Sequence, residues 1–594
     1  MKANRRPQND SLTALAVLGV MGVVTGLATL LLGASYYGLP LFKTYFSSAG
    51  LLALNLLPPV LLSLFLYCVI GRAWISHLAS SALWIILAAI NFFKLAIRGD
   101  PFVASDVTYI GEAGNILRAY ELPFNWKLIV GALVIAGGTA AVFFLTGRRQ
   151  RRVPLRVGGA AVLAGLSVLL FCTAYADDGA YEKNVCSYPI DTFSAANGFI
   201  THGFSYPFLR SLREVLAPAD TGYSDAEARA LLYGYATSDI PEERQVNVVS
   251  VMLEAFTDLS RFPGVKLARD VYGPFHELQS RSVHGELVDN IFAGGTINTE
   301  RCFLTGYTEP DEYTENVGSF VWYLRDQGYT AEGVHAGDGW FYERRAINAC
   351  LGFENYYFLE DYEDSNRTDE FFLGKVTELY EARDRSKPYF SFSVSYQNHG
   401  GYYENWTVPE QYVDPGGYTS GCYNILNNYL SGISDTCRRI NALADYFEAD
   451  ADPVVLVIFG DHMPWLGNGN WVYHELGINM DVSTPEGFYD YYTTPYIIFA
   501  NAAARAVLGD GFTGEGGSFS PCFLMPKVFD LCAWQGNRYM AALRDVAHFT
   551  DVFHTPTGYY RIGGQLTLAP EPEAFEAIQR FRNIEYYMRR HFEY

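Results

Sequence analysis

Positive charge is scarce in the larger part of this chain, and its scarcity excludes one class of partner. Only 18% of the 594 residues are charged. Residues 1–175 hold 14 Lys and Arg against 5 Asp and Glu, whereas the rest of the chain holds 29 against 59. Nucleic acids are bound through basic surfaces, so we expect no nucleic-acid partner. An acidic surface is compatible with bound cations.

Paired cysteine motifs are also absent. The nine cysteines form no CxxC pair, so the sequence does not support a zinc ribbon. Cys68 and Cys172 lie in apolar runs, and the spacing of the others indicates no particular pairing.

Long apolar runs, in contrast, fill the amino-terminal part of the chain. They cover Leu12–Leu32, Leu51–Ile70, Ile75–Ile97, Leu128–Thr146 and Val157–Tyr175. Each is close to the ~20 residues that a helix needs to cross a bilayer. One such run could be a buried helix of a soluble protein, but five within 175 residues predict a membrane domain of five transmembrane helices.

Basic residues near the ends of these runs predict the orientation. They fall before the first run, between the second and third, and between the fourth and fifth: Lys2, Arg5, Arg6, Arg72, Arg148, Arg149, Arg151, Arg152 and Arg156. With five crossings all three places lie on one side, which the positive-inside rule makes cytoplasmic. We therefore expect a multi-pass membrane protein whose acidic carboxyl-terminal domain is extracytoplasmic.

Two features of the outer side have alternative interpretations. The polar stretch Arg98–Asp106 is either a simple re-entry turn or a group that contacts lipid headgroups. Ala174-Tyr175-Ala176 either resembles a signal-peptidase site, with cleavage after Ala176, or occurs by chance because alanine is common.

Changes of composition predict three regions: a membrane domain over 1–176, a juxtamembrane helical connector over 177–244 and a catalytic domain over 245–594. The connector carries Phe199, Phe204 and Phe208 near helical spacing. That apolar face either lies along the membrane surface or packs on the soluble domain.

Short apolar strands alternate with helical stretches in the third region. Candidate strands are Val246–Leu253, Pro388–Ser395, Val454–Phe459 and Thr494–Phe499. This alternation predicts an α/β fold with a central, mostly parallel sheet. Ligands of such sheets bind beyond the carboxyl ends of the strands, so functional residues are expected there.

Four side chains with metal-site chemistry follow strands or a turn. Glu254 follows the first strand, Asp461 and His462 follow Gly460, and Thr296 follows Gly294-Gly295. Oxygen and nitrogen ligands without thiolate suit Mn²⁺, with Mg²⁺ or Zn²⁺ as alternatives. A divalent ion would lower the pKa of the threonine hydroxyl and position it as a nucleophile. Each residue alone is more often structural; the set of four predicts a metal site.

A second group has the chemistry of anion binding. His399 precedes Gly400-Gly401, where backbone can approach a ligand closely. His335 lies upstream of Phe341-Tyr342-Glu343-Arg344-Arg345. Arginine binds phosphate through two parallel hydrogen bonds, and one of the two arginines is expected to form a surface ion pair instead.

These motifs together resemble the lipoteichoic acid synthase family of phosphoglycerol transferases, which are sulfatase-like members of the alkaline phosphatase superfamily. The resemblance covers nearly the whole chain. The matching segments are Leu253-Glu254-Ala255-Phe256, Gly295-Thr296-Ile297-Asn298-Thr299-Glu300, His335, Phe341-Tyr342-Glu343-Arg344, Asn398-His399-Gly400 and Gly460-Asp461-His462.

The resemblance implies a role for each matched residue. Glu254, Thr296, Asp461 and His462 correspond to the Mn²⁺ ligands, and Thr296 to the catalytic nucleophile. His399, His335, Tyr342 and Arg344 correspond to substrate-binding residues. The implied donor is phosphatidylglycerol, which yields a phosphoglyceryl-threonine and diacylglycerol. The implied acceptor is a cell-envelope group: a polyglycerol-phosphate (lipoteichoic acid) chain, a glycolipid or a glycan.

Some residues depart from the family's patterns and put the headgroup in question. Tyr342 stands where some members have tryptophan, and Glu343-Arg344-Arg345 replaces the common Asn-Arg-Asp. His335-Ala336-Gly337-Asp338 is one residue longer than the spacing of some members. A phosphoethanolamine transferase is therefore the nearer alternative.

A sulfatase is a more distant alternative. Sulfatases of this fold resemble one another in a Cys/Ser-x-Pro-x-Arg motif, which Thr296-Ile297-Asn298-Thr299-Glu300 lacks. A non-catalytic membrane sensor would not need an intact set of metal-ligand residues.

Overall fold

The computed structural model describes residues 9–98, 101–104, 106–107, 125–146, 152–187, 195–216, 223–309, 313, 315–339, 341–363 and 366–594. Most of the basic residues on which the orientation rests (Lys2, Arg5, Arg6, Arg148, Arg149 and Arg151) lie outside the described residues, as do Gly99, Asp100 and Ser105 of the polar loop. The chain forms two compact units, residues 1–218 and 219–594. The predicted division at residues 176 and 244 stays a prediction.

The first unit is helical. Its described helices are α1 (Asn9–Gly33), α2 (Gly38–Thr44), α3 (Ala49–Ile70), α4 (Ala73–Arg98), α5 (Trp126–Leu145), α6 (Val153–Leu170, continued by a π-turn to Tyr175), α7 (Asp178–Lys183), α8 (Ala195–Thr201) and α9 (Ser205–Leu216). Five of them are long and apolar enough to cross a membrane: Ser11–Gly33, Ala49–Ile70, Ala73–Ala96, Trp126–Leu145 and Val153–Tyr175. The predicted five spans are confirmed.

The apolar face of the connector packs within this first unit. Phe199, Phe204 and Phe208 are buried in one cluster with Trp84 and Phe92 of α4. Asn55 of α3 fixes the approach, since its side chain donates to the carbonyl of His202 (2.8 Å) and accepts from the backbone N–H of Phe204 (3.1 Å). Within the first unit, the apolar partners of this face come from the membrane helices.

The second unit contains an eight-stranded sheet and a small three-stranded sheet. The strands are β1 (Asn247–Leu253), β2 (Val283–Val288), β3 (Thr330–His335), β4 (Asn355–Phe358), β5 (Tyr389–Val394), β6 (Val454–Gly460), β7 (Thr493–Ala500) and β8 (Gly514–Phe519), then β9 (Phe553–His554), β10 (Tyr559–Ile562) and β11 (Gln565–Thr567). The last three pair antiparallel.

Helices of the second unit lie between these strands. Along the described residues they are α10 (Asp225–Tyr233), α11 (Gly273–Ser280), α12 (Ile297–Thr305), α13 (Phe320–Asp326), α14 (Arg344–Leu351), α15 (Asp369–Ala382), α16 (Ser420–Glu448), α17 (Trp471–Glu475), α18 (Pro485–Tyr492), α19 (Ala502–Leu508), α20 (Leu524–Leu531), α21 (Arg538–Ala547) and α22 (Pro572–Arg590). Ser224 caps α10, accepting a hydrogen bond from the backbone N–H of Glu227 (3.4 Å) as its sequence predicts.

The large sheet has the strand order β4-β3-β5-β1-β6-β7-β2-β8. Neighbours pair in parallel except at β7, which is antiparallel to both β6 and β2. Every residue of β1, β5, β6 and β7 is buried, because apolar clusters cover both faces of the sheet. The prediction of an α/β domain with a mostly parallel central sheet is confirmed.

This topology determines where functional side chains meet. β3, β5, β1 and β6 are adjacent and parallel, so their carboxyl ends share one edge of the sheet. His335 ends β3, Glu254 follows β1 and Asp461 follows β6. Residues that are up to 207 positions apart in sequence are thereby brought to one edge.

Candidate active site

Glu254 is fixed at the end of β1 by its neighbours on both sides. It is 4% exposed, and its backbone N–H donates to Oγ of Ser395, which follows β5 (3.0 Å). The next residue, Ala255, has a positive φ of 49° and donates its N–H to Oδ1 of Asp461 (2.7 Å). The chain therefore turns sharply after the strand and joins the end of β1 to the end of β6.

Asp461 and His462 present unused ligand atoms to the same point. The backbone N–H of Asp461 donates to the carbonyl of Leu253 (3.2 Å). The imidazole Nδ1–H of His462 donates to the carbonyl of Met463 (2.9 Å), which leaves Nε2 as an acceptor. Oδ2 of Asp461 and Nε2 of His462 are buried, have no hydrogen-bond partner and lie 3.3 Å apart.

These atoms fit a divalent metal ion. One ligand atom from each of Glu254, Asp461 and His462 lies within 4.8 Å of the other two, and all three residues are buried. Buried polar atoms without partners are costly, and a bound cation would satisfy both orphaned atoms. Carboxylate oxygens with one imidazole suit Mn²⁺, Mg²⁺ or Zn²⁺ without selecting among them.

Thr296 reaches this cluster through a turn that glycine makes possible. Ala293, Gly294 and Gly295 have φ values of 59°, 146° and 85°, a run that side chains rarely tolerate. The turn is held by a hydrogen bond from the N–H of Ala293 to the carbonyl of Met463 (3.2 Å). Thr296 then caps α12, and its hydroxyl donates to Oε2 of Glu254 (3.4 Å).

Helix α12 is tied to the cluster at a second point. The hydroxyl of Thr299 donates to the backbone carbonyl of Asp461 (2.7 Å) and is completely buried. The Thr296 hydroxyl is therefore placed at the helix N-terminus, where the helix dipole favours negative charge. Such a position suits both an oxygen nucleophile and a phosphate group.

His335 and Arg344 lie together, as the sequence predicted. Arg344 begins α14, is 3% exposed, and donates from Nη1 to Nε2 of His335 (3.2 Å). The Nδ1–H of His335 donates to the carbonyl of Val394 (3.0 Å). Burial and the adjacent Arg344 guanidinium lower the pKa of His335 well below its ordinary value, so this imidazole is neutral.

The counter-ion of Arg344 is Glu300, whose importance the sequence did not indicate. Arg344 Nε donates to Oε2 of Glu300 (3.0 Å), and both side chains are at most 3% exposed. Glu300 lies one helical turn after Thr296 on α12. In the sequence, Glu300 is only the last residue of the motif that contains Thr296. The fold shows that Glu300, one helical turn later, forms the ion pair with Arg344.

Tyr342 lies beside Arg344 in an uncommon backbone conformation. Tyr342 and Glu343 have positive φ values of 57° and 51°, and the Arg344 guanidinium carbon lies 5.4 Å from the Tyr342 ring centroid. Consecutive left-handed residues other than glycine cost energy and occur where surrounding contacts impose them. Arg345, in contrast, is half exposed and pairs with Asp361 (2.9 Å), so it is the surface ion pair that was expected.

His399 lies in the loop that follows β5. Its ring stacks on Tyr396 (centroids 4.8 Å apart), and the Tyr396 ring lies 6.2 Å from His335. Asn398 of the quoted motif anchors this loop: its Nδ2 donates to Oγ1 of Thr436 (2.9 Å), and Thr436 donates to Asp369. Sequence reasoning missed Thr436 and Asp369. These residues come from α15 and α16, and no local motif marks them.

Fold and site together define a class: an α/β domain, joined to five apolar helices, with a threonine nucleophile candidate beside a buried metal-type cluster. The comparisons with known proteins agree. Residues 246–531 match the sulfatase family. The matched segment is a sulfatase-like domain that covers just under half of the chain and contains Glu254, Thr296, Asp461 and His462.

Individual relatives are distant. A curated protein of Rhizobium meliloti (strain 1021), named "Putative cyclic beta-1,2-glucan modification protein", is 24% identical over 365 residues, or 58% of this chain and 55% of that protein. This chain thus spans about half the length of that relative.

Two solved structures extend the comparison of folds. The integral membrane lipooligosaccharide phosphoethanolamine transferase A (EptA) of Neisseria meningitidis matches with a TM-score of 0.54 and 14% identity, over 88% of this chain and 97% of that one. The phosphoglycerol transferase GacH of Streptococcus pyogenes, solved with sn-glycerol-1-phosphate, has a TM-score of 0.47 and 17% identity, over 62% of this chain and 94% of that one.

Proposed function

We propose that this protein transfers glycerol phosphate from phosphatidylglycerol to a hydroxyl group of a cell-envelope acceptor, with Thr296 as the nucleophile. The observation that carries the proposal is the Thr296 hydroxyl. It lies at a helix N-terminus and donates to Oε2 of Glu254 (3.4 Å), beside the orphaned ligand atoms of Asp461 and His462. The proposal includes an extracytoplasmic position for this site.

Glu254, Asp461 and His462 would hold the metal, Mn²⁺ by the family resemblance. When bound, it lowers the pKa of the Thr296 hydroxyl and offsets negative charge on the phosphoryl group. The protein's own contribution is position. Glu254 orients the hydroxyl through the hydrogen bond described above, and α12 directs its N-terminal dipole toward the incoming phosphate.

The reaction has two displacements. Oγ of Thr296 bonds to the donor phosphorus as the bond to the diacylglycerol oxygen breaks, and the hydroxyl proton passes to diacylglycerol. A hydroxyl of the acceptor then attacks the same phosphorus. The bond to Oγ breaks, and the acceptor's proton restores Thr296. Each displacement exchanges one P–O bond for another, so neither an oxidant nor a nucleotide is consumed.

The charge around His335 favours a glycerol headgroup. The imidazole is neutral, the Arg344 charge is matched by Glu300, and Arg367 pairs with Asp338 (2.9 Å) while stacking on Tyr396 (4.4 Å). Both carboxylates near His335 that are named here, Glu300 and Asp338, are thus already paired with arginines. An ethanolamine headgroup would bring an unmatched ammonium, whereas the hydroxyls of glycerol need only hydrogen bonds.

The acceptor is proposed to be a glycan, a glycolipid or a growing polyglycerol-phosphate chain. The name of the Rhizobium meliloti relative, a glucan modification protein, supports a glycan. Mass spectrometry of the products formed from phosphatidylglycerol and each acceptor class identifies the acceptor.

The decisive experiment follows diacylglycerol release from labelled phosphatidylglycerol by the full-length enzyme with Mn²⁺. Thr296→Ala is expected to reduce release by at least about 10³-fold, as for loss of a nucleophile. Thr377→Ala, on the outer side of α15 where its hydroxyl donates only to Gly374, is the matched control and should keep full activity. Release by Thr296→Ala near the wild-type rate would reject the nucleophile.

The donor is tested separately. We expect phosphatidylglycerol to support release and phosphatidylethanolamine to support little. A preference for phosphatidylethanolamine, abolished by Thr296→Ala, would make the protein a phosphoethanolamine transferase with the same nucleophile. Release of sulfate from an aryl sulfate at a comparable rate would instead support the sulfatase alternative.

A further inference from the structure

Lys127 is a buried cation in the membrane unit for which the described residues provide no carboxylate partner. It is the second residue of α5 and is only 4% exposed. Its ammonium donates to the backbone carbonyl of Ser35 and lies 5.6 Å from the centroid of the Phe92 ring. Among the residues that the structure describes, no carboxylate contacts it. A buried ammonium has three donors and a full charge, and one carbonyl leaves both incompletely satisfied.

Two further buried donors belong to the segments that Lys127 contacts, and neither has a hydrogen-bond partner among the described residues. The hydroxyl of Ser35, whose carbonyl Lys127 contacts, is buried without a hydrogen-bond partner. So is Nδ2 of Asn91, the residue before Phe92. The orientation of the Asn91 amide is determined, because Oδ1 accepts from the backbone N–H of Phe102 (2.9 Å) and only an oxygen can do so. The hydroxyl and the amide therefore lack acceptors, and the ammonium has one acceptor for its three donors.

Lys94 shows what a satisfied lysine in this unit looks like. Near the end of α4, it pairs with Asp106 (2.9 Å) and also donates to the carbonyl of Pro101 (2.9 Å). Asp106 in turn accepts from the N–H of Val103 (2.8 Å). Lys94 and Asp106 thus match each other's charge. Lys127, in contrast, has no such carboxylate partner among the described residues.

We propose that Lys127, Ser35 and Asn91 bind the phosphate of an anionic phospholipid. A phosphodiester supplies one negative charge and several acceptor oxygens, which is the combination that one ammonium and two neutral donors lack. The N-terminus of α5 adds a favourable dipole.

The source of the phosphate follows from the position of these groups. Lys127 begins a membrane span, Ser35 follows the end of another, and the adjacent Trp126 is 48% exposed, as interfacial tryptophans are. At this depth a phosphate belongs to a lipid. The charge of Lys127 selects an anionic lipid over a zwitterionic one, which carries its own ammonium. The inference concerns binding in the membrane unit and does not rest on the proposed transfer reaction.

The test measures lipid bound to the full-length protein in detergent, by native mass spectrometry and by the thermal shift that a ligand causes. Phosphatidylglycerol is the probe, with phosphatidylcholine and inorganic phosphate as comparators. Lys127→Met keeps the aliphatic stem and removes the charge, so we expect phosphatidylglycerol binding at least about tenfold weaker. Lys127→Arg keeps the charge and should bind within a few-fold of wild type. Lys43→Met, at an exposed lysine of α2, should bind like wild type.

Three results would overturn the proposal. If phosphatidylglycerol binds equally to wild type and Lys127→Met, the lysine does not contribute to lipid binding. If wild type binds phosphatidylcholine as well as phosphatidylglycerol, the site does not select lipids by charge. A thermal shift with inorganic phosphate as large as with the lipid makes this a site for free phosphate. If Lys127→Met does not fold, Ser35→Ala removes one neutral donor and is expected to weaken binding severalfold; unchanged binding in that variant overturns the proposal as well.

Discussion

Buried charges around the proposed headgroup pocket are matched by single partners from distant parts of the chain. Glu300 is the partner of Arg344, and each is almost fully excluded from solvent. Removing one member of a buried pair leaves the other charge uncompensated, which costs about 3–5 kcal/mol. The Glu300–Arg344 pair therefore contributes both to the proposed headgroup pocket and to the free energy of unfolding.

The first prediction concerns Glu300→Gln. We expect a loss of about 3–5 kcal/mol in the free energy of unfolding of the soluble unit, measured by chemical denaturation. The double variant Glu300→Gln/Arg344→Met should regain most of this stability, because no charge stays buried alone, but not the transfer activity. Arg345→Met is the control: its exposed pairs are worth less than about 1 kcal/mol. If the double variant lost as much stability as the two single variants together, Glu300 and Arg344 would not be coupled.

The second prediction concerns pH and Asp369. Burial raises the pKa of this carboxyl to about 7, although Thr436 donates to it. Its stabilising contribution is thus complete below the ordinary carboxyl pKa near 4 and is lost as pH rises toward 7. Asp369→Asn resembles the protonated form, so its melting temperature relative to wild type should increase between pH 4 and 7.

An exposed carboxyl provides the control for this measurement. Asp384 accepts hydrogen bonds from Ser386, and these lower its pKa. Asp384→Asn should therefore show no trend relative to wild type between pH 5 and 7. A parallel melting-temperature curve for Asp369→Asn and wild type across that range would show that Asp369 is ionised throughout.

At the scale of elements, the turn before α12 determines where the proposed nucleophile lies. Gly295 has a φ of 85°, and a Cβ there would meet only ordinary contacts with Ile291. Gly328, an exposed glycine after α13, has a φ of 87° and open space around it. The two positions therefore share the backbone cost of an alanine and differ in their distance from the site.

The third prediction compares Gly295→Ala with Gly328→Ala. Both variants should lose about 1–2 kcal/mol of stability, the cost of a left-handed conformation for a residue with a Cβ. Only Gly295→Ala should lose activity, by roughly 100-fold, because a small displacement of a nucleophile has a large effect on rate. Diacylglycerol release and denaturation, measured on both variants, separate the two effects. Equal activity losses would contradict a positioning role for the turn.

The sequence was sufficient for some elements and insufficient for others, for physical reasons. Buried strands such as Val454–Phe459 are continuous apolar runs, so both the strand and the candidate metal-ligand residues just after it could be predicted. Thr296 was found because glycines mark its turn. Glu300, Asp369 and Thr436 lie on ordinary helices, and their partners are 44 to 67 residues away. Nothing local distinguishes such residues from surface positions.

At the scale of the whole molecule, orientation across the membrane is the main expectation still to be measured. The fourth prediction uses cysteines that are labelled by a membrane-impermeant maleimide in intact cells. Leu568→Cys, at a 60% exposed position of the second unit, should be labelled without permeabilisation. Arg72→Cys, between the second and third spans, should react only after permeabilisation. The wild-type chain gives the background, and the reverse pattern would invert the proposed topology.

The proposed nucleophile Thr296 is the N-cap of helix α12, and Glu300, the partner of the proposed headgroup arginine, follows four residues later, about 6 Å along the helix axis. In the proposed mechanism, headgroup recognition and reactivity therefore depend on the same helix. A redesign of the pocket for a larger or smaller headgroup would shift Arg344, and with it the helix that aims Thr296. We expect that variants selected for a new donor lipid will first carry substitutions in α12 and its glycine turn. We also expect these substitutions to change the range of donor lipids and the rate of catalysis together.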